Sequence, residues 1–288
     1  MQKLKLNVNW FFVASATASY LLGVMIASWS GLAVNILTFI AGLIIFYAFT
    51  LLQELQRFLT SNRVSPFTRV RYGGQNQSSS ALMLIVAAFF VIFAGLYLLL
   101  QAEVLIGTNL LLLTALAFVV LLSIGRYSRL WVNSMTWLFE GLVVSPIMFL
   151  LGSAIQEYQF SYLLFLLCLP IFFLYSASAI TLLFSEYDQN SAARKNGFIA
   201  SVGWEKALKF HHGLMLLTYL VLLIYLASSN TWSRNWPTLL LSLISGAEVF
   251  FLQQMAGGMR PNWQLLRALA IVQFFSLLYL LAYPLLIK

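Results

Sequence analysis

The sequence predicts an all-α integral membrane protein of nine transmembrane helices, with cytoplasmic loops after the second and sixth. Three observations lead there. The chain is 61% hydrophobic and only 8% charged over 288 residues, with a mean hydropathy of +0.90. A soluble domain carries about 25% charged residues, so a chain this poor in charge cannot cover a water-facing surface and bilayer lipid must be its main solvent. The apolar residues fall into runs of spanning length, roughly 20 residues each. The basic residues are distributed to one side of the resulting layout, as membrane insertion requires.

The first run, 9–28, follows Met1-Gln2-Lys3-Leu4-Lys5. That start resembles a signal peptide, but the apolar stretch is longer than a signal core and lacks a clear small-x-small cleavage site. It reads as a first membrane helix with a cytoplasmic start. The next runs are 32–52, 80–101, 107–124 and 131–155, the last interrupted by Gly141 and Pro146. Runs 159–184, 211–229, 236–255 and 265–287 complete the set. Most breaks are short and polar. Two are longer, about 53–79 and 185–210, and no linker separates soluble domains, so residues 1–288 form one domain.

With the N-terminus inside, the inner face collects Lys3, Lys5, Arg57, Arg63, Arg69, Arg71, Arg126, Arg129, Arg194, Lys195, Lys206, Lys209, Arg260 and Arg267. The outer face receives Arg234 and Lys288. Adding or removing one helix scrambles this bias. The net charge of +8 is therefore explained by positive-inside loops, and nucleic acid is not an expected partner.

Both long loops are basic and cytoplasmic. Basic groups near Gly73-Gly74 in the first, and Glu186, Asp188, Arg194 and Lys195 in the second, can hold a phosphate-bearing ligand at the membrane edge. The competing interpretation is an ordinary positive-inside loop touching anionic headgroups. Glu140 and Glu248 lie within apolar runs. A carboxylate at that depth is expected to face the bundle interior and have a partner. Glu140 is the stronger candidate for lining a cavity; for Glu248 a hydrogen-bonded core acid is an equal alternative. His211 and His212 begin an apolar run at the inner interface; neighbours in a helix do not share a face, so they make a poor metal pair. The lone Cys168 excludes an intrachain disulfide. The 24 Phe, 13 Tyr and 8 Trp suit membrane interfaces and helix packing, and also a pocket for an isoprenoid chain.

Residues 184–203 carry a resemblance. Phe184, Tyr187, Ala192, Ala193, Lys195 and Gly203 align without a gap on the pattern Phe-Pro-Asp-Tyr-Glu-Ala-Asp-Lys-Ala-Ala-Gly-Lys-Arg-Thr-Leu-Val-Val-Arg-Leu-Gly. This is the second Asp-rich motif of the UbiA superfamily of membrane prenyltransferases, in the menaquinone branch that uses dihydroxynaphthoate. Tyr127-Ser128 and Glu140-Gly141-Leu142 resemble a further stretch of that family, with Leu130 and Trp131 where it has prolines. Thr50-Leu51-Leu52-Gln53-Glu54-Leu55-Gln56-Arg57 is the best placement of the first motif, Asn-x-x-Asn-Asp-Tyr-x-Asp. The resemblance spans almost the whole chain and implies a nine-helix bundle in a bacterial cytoplasmic membrane.

It also implies roles. The family's aspartates hold Mg²⁺ on a polyprenyl diphosphate, whose departure the metal assists before an aromatic acceptor is prenylated. In this chain Glu54, Glu186, Asp188 and Asn190 occupy or neighbour those catalytic positions, and Glu54 and Glu186 are the remaining metal candidates. Gln53, Arg57, Arg63, Tyr127, Arg129, Arg194 and Lys195 are the candidates for binding diphosphate or lipid. Asn190 offers no charge where the family has an aspartate, and Arg57 reverses it. The expectation is therefore a catalytically degenerate member that binds an isoprenoid, quinone, pigment or lipid, or serves as a subunit of a larger membrane complex. The alternative is an active, atypical Mg²⁺-dependent prenyltransferase. An unrelated carrier or channel is the third reading; intramembrane charges are few and no helix pair has a broken, inverted look.

Overall fold

The computed structural model describes residues 9–61, 75–104, 107–124, 132–156, 161–189, 197–229, 232–259 and 262–286; side chains of 53–61, 75–82, 120–124, 132–134, 136 and 189 are not described. Every element among them is helical. They are α1 (Trp10–Trp29), α2 (Ile36–Ser61), α3 (Gln75–Gln101), α4 (Thr108–Ile124), α5 (Val132–Leu142), α6 (Met148–Ala154), α7 (Tyr162–Gln189), α8 (Phe198–Val202), α9 (Trp204–Ser229), α10 (Trp232–Asn235), α11 (Leu241–Ala256) and α12 (Trp263–Leu286). A π turn, Val143–Ile147, joins α5 to α6, and a 3₁₀ turn, Trp236–Leu240, joins α10 to α11. Seven helical stretches are long and apolar enough to cross a bilayer; the apolar parts of α2 and α4 are shorter. The chain has the construction of an all-α, multi-pass membrane protein.

The centre is built from α1, α5–α6, α7 and α12. Helix α1 packs along α6 and α12, and α7 lies between α9 and α12. The closest approach is between α1 and α6. A Cβ added at Gly23 would overlap the Phe149 carbonyl oxygen, and one at Gly152 would overlap the Tyr20 carbonyl oxygen. Buried Ala16, Ser19 and Ala27 extend the same small-residue face. In lipid, where apolar side chains gain little by leaving the solvent, such backbone approach is a main source of helix association. To one side, α2 pairs with α3 over a separate cluster of Ala48, Leu52, Ala88 and Ile92.

The 131–155 run is not one regular helix. Met135 leaves helical geometry (φ −119°, ψ 16°), and Pro146 sits inside the π turn. Proline has no N–H to donate and crowds the preceding turn, so the helix widens locally. Buried Ser145 then donates its hydroxyl to the Cys168 carbonyl on α7, fixing the widened turn against the central helix. Likewise Pro237 ends α10 and forces the 3₁₀ turn before α11.

The two long loops are shorter than the hydropathy pattern indicates. Helix α2 continues to Ser61 and α3 already begins at Gln75. Helix α7 runs to Gln189, α8 occupies Phe198–Val202, and α9 starts at Trp204, seven residues before His211. Hydropathy marks where a helix leaves the apolar layer, whereas helix formation continues through polar residues of good propensity such as Gln53-Glu54-Leu55-Gln56 and Glu205-Lys206-Ala207-Leu208. Glu205 in the first turn of α9 also complements the helix dipole. Gly203, at φ +88°, makes the corner between α8 and α9, a backbone conformation that costs a side-chain-bearing residue far more.

Candidate functional site

Glu140 is buried on α5 and faces two neighbours. Tyr175 Oη on α7 donates to Glu140 Oε2 at 3.1 Å, and Asn9 Nδ2 donates to both carboxylate oxygens at 3.3 Å. Asn9 is also the N-cap of α1, where its Oδ1 accepts from the Phe12 backbone N–H. One amide thus starts the first helix and ties it to the acid on α5. The Asn side-chain amide carries an acceptor oxygen and an NH₂ donor on separate atoms, so it can cap and reach Glu140 at once. Next to this acid stands an aromatic wall. Phe11 stacks on Tyr175 with centroids 5.2 Å apart, and Phe274 meets both edge-on.

The C-terminal half of α7 carries a second polar face. Ser178, Thr181, Ser185 and Asp188 recur at intervals of three or four residues and so share one side of the helix. Each meets a group on α11 or α12. Ser178 Oγ donates to the Ala270 carbonyl at 3.1 Å, and Arg267 Nε donates to Ser185 Oγ at 2.7 Å. Trp263 Nε1 donates to Asp188 Oδ2 at 2.8 Å. Arg267 is also the cation acting on exposed Glu186. Thr181 Oγ1 donates to Glu248 Oε1.

Glu248 on α11 and His211 on α9 are both fully buried, and His211 Nε2 lies 3.4 Å from Glu248 Oε1. One turn along α11, Ser245 and Tyr219 share a hydrogen bond, and buried Gln273 donates to both. Glu248 is therefore a core acid with a hydroxyl and an imidazole partner. His211 is not an interfacial residue, because α9 begins two turns before it.

Glu186, Asp188 and Glu140 are thus the described members of the site expected from sequence. Asp188 and Glu186 lie together at the end of α7, and Glu140 lies across α7 beside Tyr175. Gln53, Glu54 and Arg57 fall on the polar extension of α2, with side chains outside the described residues. Arg63, Tyr127, Arg129, Asn190, Arg194 and Lys195 lie outside the described residues altogether. Among the described residues no group of three or more His, Cys, Asp or Glu comes together as a metal site; at the α7 end Asp188 Oδ2 accepts from an indole N–H, and Arg267 acts electrostatically on Glu186. The residues that sequence reasoning passed over are the hydroxyls of α7, with Gln273 and Ser245; His211 was considered only as a metal ligand. Their signal was the three-and-four spacing of polar residues inside an apolar run, readable on α7; on α12 Trp263, Arg267 and Gln273 fall on one face at wider intervals. No protein-family model and no curated protein matches the chain.

Proposed function

We propose that this protein is a prenyltransferase-like membrane protein of the UbiA type that binds an isoprenoid lipid or quinone without transferring its prenyl group. The observation that carries this reading is the engagement of the α7 end by α12. Arg267 and Trp263 bond Ser185 and Asp188, so protein donors occupy the α7 face where metal-assisted departure of a diphosphate would need free carboxylates. Binding a diphosphate through arginines alone does not drive its ionisation. The ligand class is supported by the resemblance, and by the Glu140–Tyr175–Asn9 group, whose polar atoms lie against the aromatic side chains of Phe11 and Phe274 within the bundle. In this proposal the chain crosses the membrane nine times, α2 and α4 included, and the N-terminus and the α7 end are cytoplasmic.

Two experiments test it. Purified protein incubated with a polyprenyl diphosphate, dihydroxynaphthoate and Mg²⁺ is expected to give no prenylated product, while organic extracts of the protein from native membranes contain an isoprenoid at near-stoichiometric amount. Strictly Mg²⁺-dependent transfer would establish the active-enzyme alternative; co-purifying proteins without lipid would point to a structural subunit. For topology, single cysteines at Ser78 and Ser229, introduced after replacing buried Cys168 with Ala, are expected to label from opposite faces. Labelling from one face removes the nine-crossing arrangement.

A further inference from the structure

The functional proposal makes no use of His211 and Glu248, yet these are two titratable side chains with no solvent exposure, on different helices, inside spanning segments. An isolated buried charge costs several kcal/mol in lipid or protein interior. The pair avoids that cost in either of two arrangements, carboxylate with imidazolium or carboxylic acid with neutral imidazole, and both contain one proton more than carboxylate with neutral imidazole. The bonding capacity left over agrees with a proton site: both ring nitrogens of His211, Glu248 Oε2 and Gln273 Oε1 are buried without a hydrogen-bond partner, and His211 Nε2 approaches Glu248 Oε1 at ion-pair distance, 3.4 Å. Thr181 and His211 both approach the same oxygen, Oε1.

The surroundings give the site a direction. Toward the end of α7 the path is polar, through Thr181, Ser185 and Arg267 to exposed Asp188. Away from it comes the hydrogen-bonded group of Tyr219, Ser245 and Gln273, and beyond that group buried Leu222 and Leu226 of α9 and Leu277, Leu278 and Leu281 of α12 close the interior. The titratable groups that act on the pair are His212 and Tyr219 on α9; toward the α7 end the same helices carry Lys206 and Lys209 on α9, Glu186, Tyr187 and Asp188 on α7, and Arg267 on α12, while α11 supplies Glu248 alone. We infer that His211 and Glu248 form an intramembrane site that binds one proton, exchanged with water only at the face where α7 ends. The site takes its proton from water and needs no isoprenoid, so its test is independent of the ligand proposed above.

The protein has only two histidines, which makes the pair readable in the intact chain. Protein with ¹⁵N-labelled histidine in lipid nanodiscs is titrated from mildly acidic to alkaline pH, with His212→Asn to assign the signals. Infrared difference spectra over the same range follow the protonated-carboxyl band. The expected result is one proton released per chain, seen as a coupled change of the His211 ring signal and the carboxyl or carboxylate bands. Glu248→Gln abolishes the carboxyl change and displaces the His211 transition. If Glu248→Gln does not insert, His211→Gln reads the same pair through the carboxyl bands. An identical His211 titration in the native chain and Glu248→Gln, or a native chain whose carboxyl bands and His211 signal do not change together, overturns the inference.

Discussion

Gly152→Leu and Gly23→Val are expected to abolish assembly of the bundle. The obstructing atoms are backbone: the Tyr20 carbonyl oxygen faces Gly152 and the Phe149 carbonyl oxygen faces Gly23. Side chains can rotate away from an intruding methyl group, but a helix backbone can yield only by moving α1 off α6. The cost therefore exceeds the roughly 1–3 kcal/mol of ordinary overpacking. Even Gly152→Ala is expected to lower the thermal midpoint of the purified protein markedly. Gly213→Ala and Gly246→Ala serve as controls. Both lie within helices, on α9 and α11, and a Cβ there meets no atom, so each is expected to be neutral or to stabilise by about 0.5–1 kcal/mol through helix propensity. Equal melting of Gly152→Ala and Gly246→Ala would show that α1 and α6 do not pack as described.

Glu140→Leu is expected to be the most damaging change at the candidate site. It removes the acceptor of the Tyr175 hydroxyl and of the Asn9 amide together, at a cost of about 1–3 kcal/mol per stranded buried group. Glu140→Gln keeps the shape and an acceptor, and should lose less. The coupling is testable by adding Tyr175→Phe. The single Tyr175→Phe takes a donor from a buried acid and destabilises, whereas in the Glu140→Leu background the same change no longer breaks that bond and should cost less. Strictly additive effects would mean that the two residues do not share a hydrogen bond. Under the proposed function both variants also lose the co-purifying isoprenoid, while Gly246→Ala retains it.

The arginine–serine contact bears on the reading of activity. Arg267→Ala frees Ser185 and removes the cation beside Glu186, yet it is not expected to create prenyl transfer. Asn190 still supplies no charge and Asp188 is still held by Trp263. Appearance of Mg²⁺-dependent product in this variant would mean that a single guanidinium suppresses an otherwise complete catalytic site.

The sequence by itself determined the class of solvent, the helical character and the approximate position of every apolar run, because these depend on composition and on run length. It also marked Glu140 as an inward-facing acid: a carboxylate in an apolar run has few other stable places. It did not place helix ends, since propensity carried α2, α7 and α9 well beyond the apolar layer that hydropathy detects. Nor did it reveal which polar residues meet. Ser178, Thr181, Ser185 and Asp188 are legible as a stripe on one helix, but that the stripe faces Arg267, Trp263 and Glu248 is decided by the rotation of α7 against α11 and α12. His211 changes from an interfacial residue to a buried partner of Glu248 through the same cause. Residues 37 to 92 positions apart in the chain are brought together by packing, and a single sequence holds no local term that encodes the facing angles of their helices.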